Sequence, residues 1–245
     1  MGMGIIHYSL KSYNLQQENN YIGKLLHLAD PMLPIGGFSH SNGLETYVQR
    51  GIVKDTASAE QFVNDYICWN LLYNDAAFVY LSYQAAKAKD ESLLLLLDEE
   101  CEALKAPKET RLASNKLAAR LIKIFKPLYQ FPLIDAYEFA IKEKWATGHY
   151  PVTYGALAAC LEIPVTAALH AFYYNVTVTT ITNCVKLVPL GQQDGQEILH
   201  KMLPVIGEKV QETMLLDRAM VGLCNVSFDV RCMQHERLYS RLYMS

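Results

Sequence analysis

The sequence predicts an all-α protein, a single-domain bundle of about ten helices. Apolar residues recur at every third or fourth position through most of the chain, which is the spacing of one helix face. Only one stretch has the β-branched composition of a strand, and no partner strand is visible. No internal repeat, linker or change of composition divides the 245 residues. We therefore expect a mobile N-terminal arm over residues 1–20, where periodicity is weak, followed by one all-helical domain over 21–245.

The predicted helices follow, in chain order, from apolar periodicity and from end signals. The first begins at Tyr21 and ends at Asp30-Pro31, because proline disfavours the α conformation in the residue before it. The second begins near Asn42, whose spacing from Glu45 matches a capping box. Further helices are predicted over 58–89, 91–104, 108–125, 133–145, 152–162, 165–174, 192–202 and 205–216, followed by a C-terminal segment.

Residues 175–182 are the segment whose local composition opposes a helix. They read Asn-Val-Thr-Val-Thr-Thr-Ile-Thr, and such β-branched residues favour a strand. Nothing else in the chain resembles a sheet with which this strand could pair. We therefore predict a buried helix, with its conformation imposed by tertiary packing.

Composition and charge argue against several functional classes. Lys and Arg total 22 against 25 Asp and Glu, a net charge of −3, so the basic field of a nucleic-acid-binding protein is missing. The leucine run Leu93–Leu97 is far shorter than the ~20 residues that span a bilayer, so no membrane segment is expected. The six cysteines are scattered without a C-x-x-C pair, and the N-terminus lacks a secretion signal. We expect a cytoplasmic protein with reduced thiols.

Ser39 and His40 are the best candidates for a catalytic pair. A nucleophile elbow needs a preceding strand and the pattern G-x-S-x-G, but Ser41 stands where the second glycine should be. Adjacent side chains at a helix start point in different directions, so capping of the helix N-terminus is the preferred role. Gly23-Lys24 is the only Gly-Lys pair, and it lacks the other residues of a P-loop. The prediction is a protein that is not an enzyme and has no catalytic residues.

The residue types that bind metals do not form a metal-binding pattern. Cys232 and His235 make one C-x-x-H pair, which cannot complete a four-ligand zinc shell. The other histidines are dispersed, without H-x-x-x-H or H-E-x-x-H spacing. The acidic run over 98–102 (Asp-Glu-Glu-Cys-Glu) is predicted to be a solvated helix face. No metal site and no cofactor are expected.

The C-terminal tail has the composition of an interface. Its last nine residues hold two arginines, two tyrosines, two leucines and a methionine. If the tail is helical, Arg237 and Arg241 stack one turn apart; if it is extended, Tyr239, Arg241 and Tyr243 share a face. Either conformation could offer anchor residues to a groove on a partner protein. The other possibility is that the tail folds back on its own core.

Five short blocks carry the most specific signal in the chain. They are DPMLPIGGFSHSNGLE at 30–45, ETRLAS at 109–114, HYPVTYG at 149–155, VPLGQQDGQ at 188–196 and HERLYSRL at 235–242. In this order, and from about residue 21 to residue 245, they resemble the UreF family of urease accessory proteins. Any one block would be a weak match, whereas five in the order of the family are specific.

The resemblance implies an all-α accessory protein, usually dimeric, without catalytic activity or a cofactor of its own. It implies a complex with UreD (UreH in some species) and with the GTPase UreG, which docks on apo-urease for GTP-dependent nickel insertion. By motif position, Phe38 and Arg241 correspond to residues that hold UreD/UreH, and Arg237 and Tyr239 are assigned to the same contact.

The resemblance also implies a homodimer contact on the helix that carries His170 and Tyr174. His170 replaces the arginine often expected there. Two hypotheses from other classes remain beside the accessory role. One is a small all-helical hydrolase that uses Ser39 and His40, and the other is a nickel-storage protein that uses His and Cys side chains.

Overall fold

The computed structural model of the chain describes residues 20–37, 40–223 and 225–244, and these ranges contain helices and no strand. The all-α prediction is confirmed. The predicted arm lies outside the described residues, except for Asn20, which begins the first helix. The helices are α1 (Asn20–Leu28), α2 (Leu44–Gln49), α3 (Thr56–Asp65), a π-helical segment (Tyr66–Ala76), α4 (Ala77–Lys87), α5 (Glu91–Leu104), α6 (Lys108–Phe125), α7 (Pro132–Lys142), α8 (Tyr150–Cys160), α9 (Val165–Leu187), α10 (Gln192–Leu215), a 3₁₀ turn (Arg218–Met220) and α11 (Val226–His235).

Helix α8 is the centre of the bundle. It contacts α4, α5, α6 and α9, and every residue from Pro151 to Ala159 is buried. Gly155 allows the closest of these contacts, because a Cβ atom there would lie 2.2 Å from Ser82 Oγ and 2.3 Å from the Val79 carbonyl oxygen. Any larger residue would therefore push α8 away from α4.

The segment 175–182 lies inside α9, so the prediction of a helix is confirmed. The hydroxyls of Thr177 and Thr180 donate to the carbonyls four residues earlier, at 2.7 and 2.8 Å. Each bond satisfies the hydrogen-bonding capacity of a threonine hydroxyl inside the helix. Burial of the neighbouring Ile181 adds apolar stabilisation to the same part of α9. The helix predicted to end at residue 174 in fact continues to Leu187.

The predicted break between residues 202 and 205 is wrong, because α10 runs from Gln192 to Leu215 with Pro204 inside it. Proline removes one backbone hydrogen bond from a helix. Met202, Ile206 and Val210 are buried on the same face, at intervals of four residues. Their packing against the core offsets the lost bond, and a local sequence pattern does not report such packing.

The predicted capping box at Asn42 is also wrong. Gly43, with φ of 80°, is the N-cap residue of α2, and as a glycine it supplies no side-chain cap. A Cβ atom at Gly43 would lie 2.8 Å from Cys232 Sγ, so α11 packs directly against the start of α2. The Asn42 side chain instead donates to the Tyr66 hydroxyl at 3.5 Å, and Glu45 bonds the C-terminal tail.

The long helix predicted over 58–89 is present from Thr56 to Lys87, but its middle is π-helical. A π-helix bonds residues five apart, so it places Ile67 and Leu72, which are both buried, on one face. Trp69 lies on the outer side of this segment with 56% of its surface exposed. Within the described ranges, no helix combines the length and the hydropathy needed to cross a bilayer.

The acidic run over 98–102 is not uniformly solvated, because Asp98 is completely buried. Its carboxylate accepts hydrogen bonds from the Tyr137 hydroxyl at 2.5 Å and from the backbone N–H groups of Thr147, Gly148 and His149 at 2.7, 3.0 and 2.9 Å. The Thr147 hydroxyl adds a further bond at 3.1 Å. A carboxylate with this many donors can be buried without a counter-ion, and here it joins α5 to α7 and to the loop before α8.

We predict that Asp98→Asn lowers the free energy of unfolding by about 3 kcal/mol or more, because the amide N–H₂ group would face backbone donors. Urea unfolding measures the loss. Glu99→Gln removes one carboxylate from an exposed neighbouring position and should change stability by less than about 0.5 kcal/mol. Equal losses in the two variants would contradict the buried hydrogen-bonded role of Asp98.

Candidate partner-binding surface

The C-terminal tail, residues 236–244, leaves α11 and runs without regular helix beside α2. The backbone N–H groups of Leu242 and Tyr243 donate to the Glu45 carboxylate at 2.8 and 3.3 Å. The Gln49 side-chain amide donates to the Ser240 carbonyl at 3.1 Å. The tail backbone therefore does fold back on the chain, as one of the sequence-based alternatives required.

A cluster of four ionisable side chains, which we call the charge cluster, fastens this tail; His235 and Glu45 are buried and Arg241 is exposed. His235, which has no exposed surface, places Nδ1 2.7 Å from Glu109 Oε2 and Nε2 3.1 Å from Glu45 Oε2. Arg241 donates to the other oxygen of Glu109 at 2.6 Å. Both ring nitrogens of His235 and the Arg241 guanidinium face carboxylate oxygens, so the cluster joins α2, α6, α11 and the tail.

The side chains of the tail point to solvent while its backbone is held. Tyr239 is fully exposed, and Leu242 and Met244 have 79% and 59% of their surface exposed. Arg237 is exposed as well, whereas Arg241 is partly engaged by Glu109. The fourth residue assigned to the UreD/UreH contact, Phe38, lies outside the described residues.

A cavity of about 280 Å³ lies beside α6, the helix whose Glu109 binds the tail. We call it the α6–α9 cavity, because these two helices, with residues of 30–37 and 40–42, form most of its walls. Its floor holds an ion pair between Lys105 and Asp75. Burial alone would lower the pKa of Lys105, but the Asp75 carboxylate outweighs it and raises the pKa overall. The other lining residues include Leu33, His40, Thr110, Ser114, Leu117, Phe172, Val176, Thr179 and Asn183.

The catalytic pair considered from the sequence gains no support from the surroundings of His40. Ser39 lies outside the described residues, and His40 is buried, with its carbonyl accepting from the Asn183 amide at 2.9 Å. Burial lowers the pKa of His40, and the positive charges of Lys116 and Arg120 lower it further.

Sequence reasoning missed a second serine–histidine contact, between Ser114 and His149. Ser114 Oγ lies 3.2 Å from His149 Nδ1, and His149 Nε2 lies 2.8 Å from Glu102 Oε2. The residue types are those of a catalytic triad, but the two ring nitrogens have exchanged partners. However, the same serine oxygen accepts the N–H of Tyr150 at 3.0 Å, in the first turn of α8. The arrangement therefore caps α8 rather than presenting a free nucleophile. The only sign of this contact in the sequence is that Ser114 and His149 each belong to one of the five blocks.

The remaining candidate residues are placed as follows. His170 and Tyr174 are exposed one turn apart on α9, so both are accessible. Cys232 is buried, and burial raises the pKa of its thiol to about 12, so it is not the thiolate that a metal site requires. Throughout the described ranges, no three His, Cys, Asp or Glu side chains are grouped to hold a metal ion.

The chain is similar to urease accessory proteins along most of its length. Residues 53–203 match the family model described as UreF. Over 224 residues the chain is 44% identical to the urease accessory protein UreF of Actinobacillus pleuropneumoniae serotype 5b, an alignment that covers 91% of this chain and 99% of the relative. The corresponding protein of Haemophilus influenzae (strain PittEE) is 42% identical over 224 residues, or 91% and 95% of the two chains. That of Bacillus sp. (strain TB-90) is 32% identical over 226 residues, or 92% and 100%.

The buried His149 makes the stability of the fold depend on pH. Burial lowers the pKa of His149 below its ordinary value of 6.5, despite the nearby carboxylates of Asp98 and Glu102. As the pH falls below about 6.5, the unfolded chain binds a proton that the folded chain does not, so the free energy of unfolding decreases. We predict that His149→Gln is less stable at neutral pH but loses less stability between pH of about 7.5 and 5.5.

Urea unfolding at several pH values tests this prediction, and His200→Gln is the control because His200 is exposed. The control should retain the pH dependence of the unchanged protein. If His149→Gln retains it as well, His149 is not its source.

Proposed function

This chain belongs to the UreF family of urease accessory proteins, and we propose that it acts as a non-catalytic scaffold in urease maturation. In this proposal it links UreD/UreH to the GTPase UreG, and the assembly docks on apo-urease for GTP-dependent nickel insertion. The observation that carries the proposal is the C-terminal tail, whose backbone is held while its large side chains face solvent.

The structure of the tail supports a binding role on energetic grounds. Tyrosine and arginine are enriched among the residues that dominate protein interfaces. Binding a flexible segment costs conformational entropy, and a backbone already fixed by Glu45 and Gln49 reduces that cost. We assign Arg237 and Tyr239 to direct contact with UreD/UreH, together with Phe38, and we assign Arg241 to the same surface through its bond to Glu109.

The sequence of the chain is consistent with dependence on a separate GTPase. The sequence contains no P-loop, so a step driven by nucleotide hydrolysis requires a partner that has one. The described cysteines form no disulfide, which fits action in the reducing cytoplasm. We further propose that the chain forms a homodimer through the exposed face of α9 that carries His170 and Tyr174.

Removing Glu236–Ser245 should abolish co-purification with UreD/UreH while the helical circular dichroism spectrum remains, because the deleted residues follow the last helix. A finer variant, Tyr239→Ala with Leu242→Ala, keeps the backbone and the charge cluster and should weaken binding by about 10-fold or more. The matched control is Leu215→Ala, which truncates another exposed leucine. Undiminished co-purification of the deletion variant would contradict the tail model.

We predict that Tyr174→Asp shifts the protein from dimer to monomer, because a buried unpaired charge would oppose the α9 contact. Light scattering after size-exclusion chromatography gives the mass directly. Phe139→Asp changes an aromatic residue of similar exposure on α7 and should leave the mass unchanged. A wild-type chain that is monomeric at micromolar concentration would reject the dimer contact.

A further inference from the structure

We propose that the α6–α9 cavity and the cationic face of α6 beside it form one docking groove for an acidic protein segment that inserts an apolar side chain into the cavity. This inference rests on the proposed function, because it assigns the segment to the same UreD/UreH partner that the tail binds. Four observations support it: the charge of α6, the volume of the cavity, a buried acceptor without a partner, and the contact of the tail with α6.

The charge of α6 differs from that of the chain as a whole. This helix carries five Lys and Arg residues against one acidic residue, Glu109, in a protein whose net charge is −3. Lys116, Arg120 and Lys123 are exposed at intervals of four and three residues, so they share one helix face. Among the described residues, none of the three is in an ion pair, so an incoming carboxylate would not have to displace one.

The cationic face adjoins the cavity. Lys116 and Arg120 lie near enough to His40, which lines the cavity, to contribute to its lowered pKa. Arg120 also donates to the carbonyl of Ile35 at 2.8 Å, and Ile35 is another lining residue. A segment bound in the cavity would therefore have its flanking residues beside these two cations.

The volume of the cavity suits an apolar anchor. Cavities of about 150 Å³ lined by aliphatic and aromatic residues can hold benzene, so 280 Å³ has room for an aromatic or branched side chain. Leu33, Leu117, Phe172 and Val176 supply apolar walls. Burying an apolar side chain against these walls would supply the hydrophobic contribution to the binding free energy.

A buried acceptor without a partner lies in a residue of the cavity wall. Asn183 is 98% buried, and its amide N–H₂ donates to the His40 carbonyl. Its Oδ1 atom has no hydrogen-bond partner among the described residues. A buried acceptor in this state is unfavourable, and a bound segment whose entry exposes Oδ1 to the cavity would supply a backbone N–H as its donor.

The groove and the tail both contact the first turn of α6. Thr110 lines the cavity, and its neighbour Glu109 holds Arg241 of the tail. One partner can therefore cover both features, with the tail supplying aromatic anchors and the groove receiving the acidic segment. A basic segment would be repelled by α6, so the charge of the groove also selects the partner.

The first test measures binding of the full chain to purified UreD/UreH at low and at high salt. Lys116→Glu with Arg120→Glu should weaken binding by about 10-fold or more at low salt and should flatten the salt dependence. Lys54→Glu with Lys87→Glu makes the same change in net charge on other exposed residues and should have little effect. If both double variants weaken binding equally, only the net charge of the protein matters, and the docking-groove proposal is rejected.

The second test fills the cavity without changing charge. Thr179→Trp should weaken binding by about 10-fold while the salt dependence remains, whereas Lys186→Trp, at an exposed position on the same helix, should not weaken it. Circular dichroism confirms that each variant is folded. Wild-type affinity in both the charge and the cavity variants overturns the groove but leaves the scaffold proposal standing. Failure of the wild-type chain to bind UreD/UreH overturns both.

Discussion

The carboxylate of Asp98 is the constraint on which the rest of the architecture depends. It holds the Tyr137 hydroxyl and three consecutive backbone N–H groups that lead into α8. The position of α8 in turn determines the spacing of the helices packed around it, including α6 and α9, which form the walls of the cavity. A polar interaction at the centre of the bundle thus determines the shape of the cavity between α6 and α9.

The charge cluster around His235 is a second polar interaction within the fold. It connects segments far apart in sequence, because Glu45 and Glu109 come from α2 and α6 while His235 and Arg241 come from the C-terminal region. Helices α2 and α11 are short, so apolar burial alone gives them little stability. The charge cluster compensates, and it makes the conformation of the tail dependent on the folded body of the protein.

Much of the fold could be predicted from the sequence because helix periodicity is a local property. The bounds of α5 and α6 agree with the prediction, and residues 175–182 are helical because tertiary burial overrides a β-branched composition. The errors occur where a distant partner decides the outcome. The local sequence predicts that Asp98 is a surface residue, because its hydrogen-bond donors come from residues 137–149. It likewise predicts a helix break at Pro204, because the packing of the helix on both sides of the proline is not a local property. The candidate site could be predicted only in part. The tail composition and the five blocks indicated a binding surface, but no local pattern could show that the Glu45 carboxylate accepts hydrogen bonds from the tail backbone.

The two tryptophans of the chain, Trp69 and Trp145, both have more than half of their surface in water. Each ring also lies against a neighbouring aromatic ring, Trp69 against Tyr73 and Trp145 against Phe139. Covering the exposed part of either indole with a second protein would move its emission to shorter wavelength. The two tryptophans are therefore intrinsic optical reporters on the surface of the folded protein.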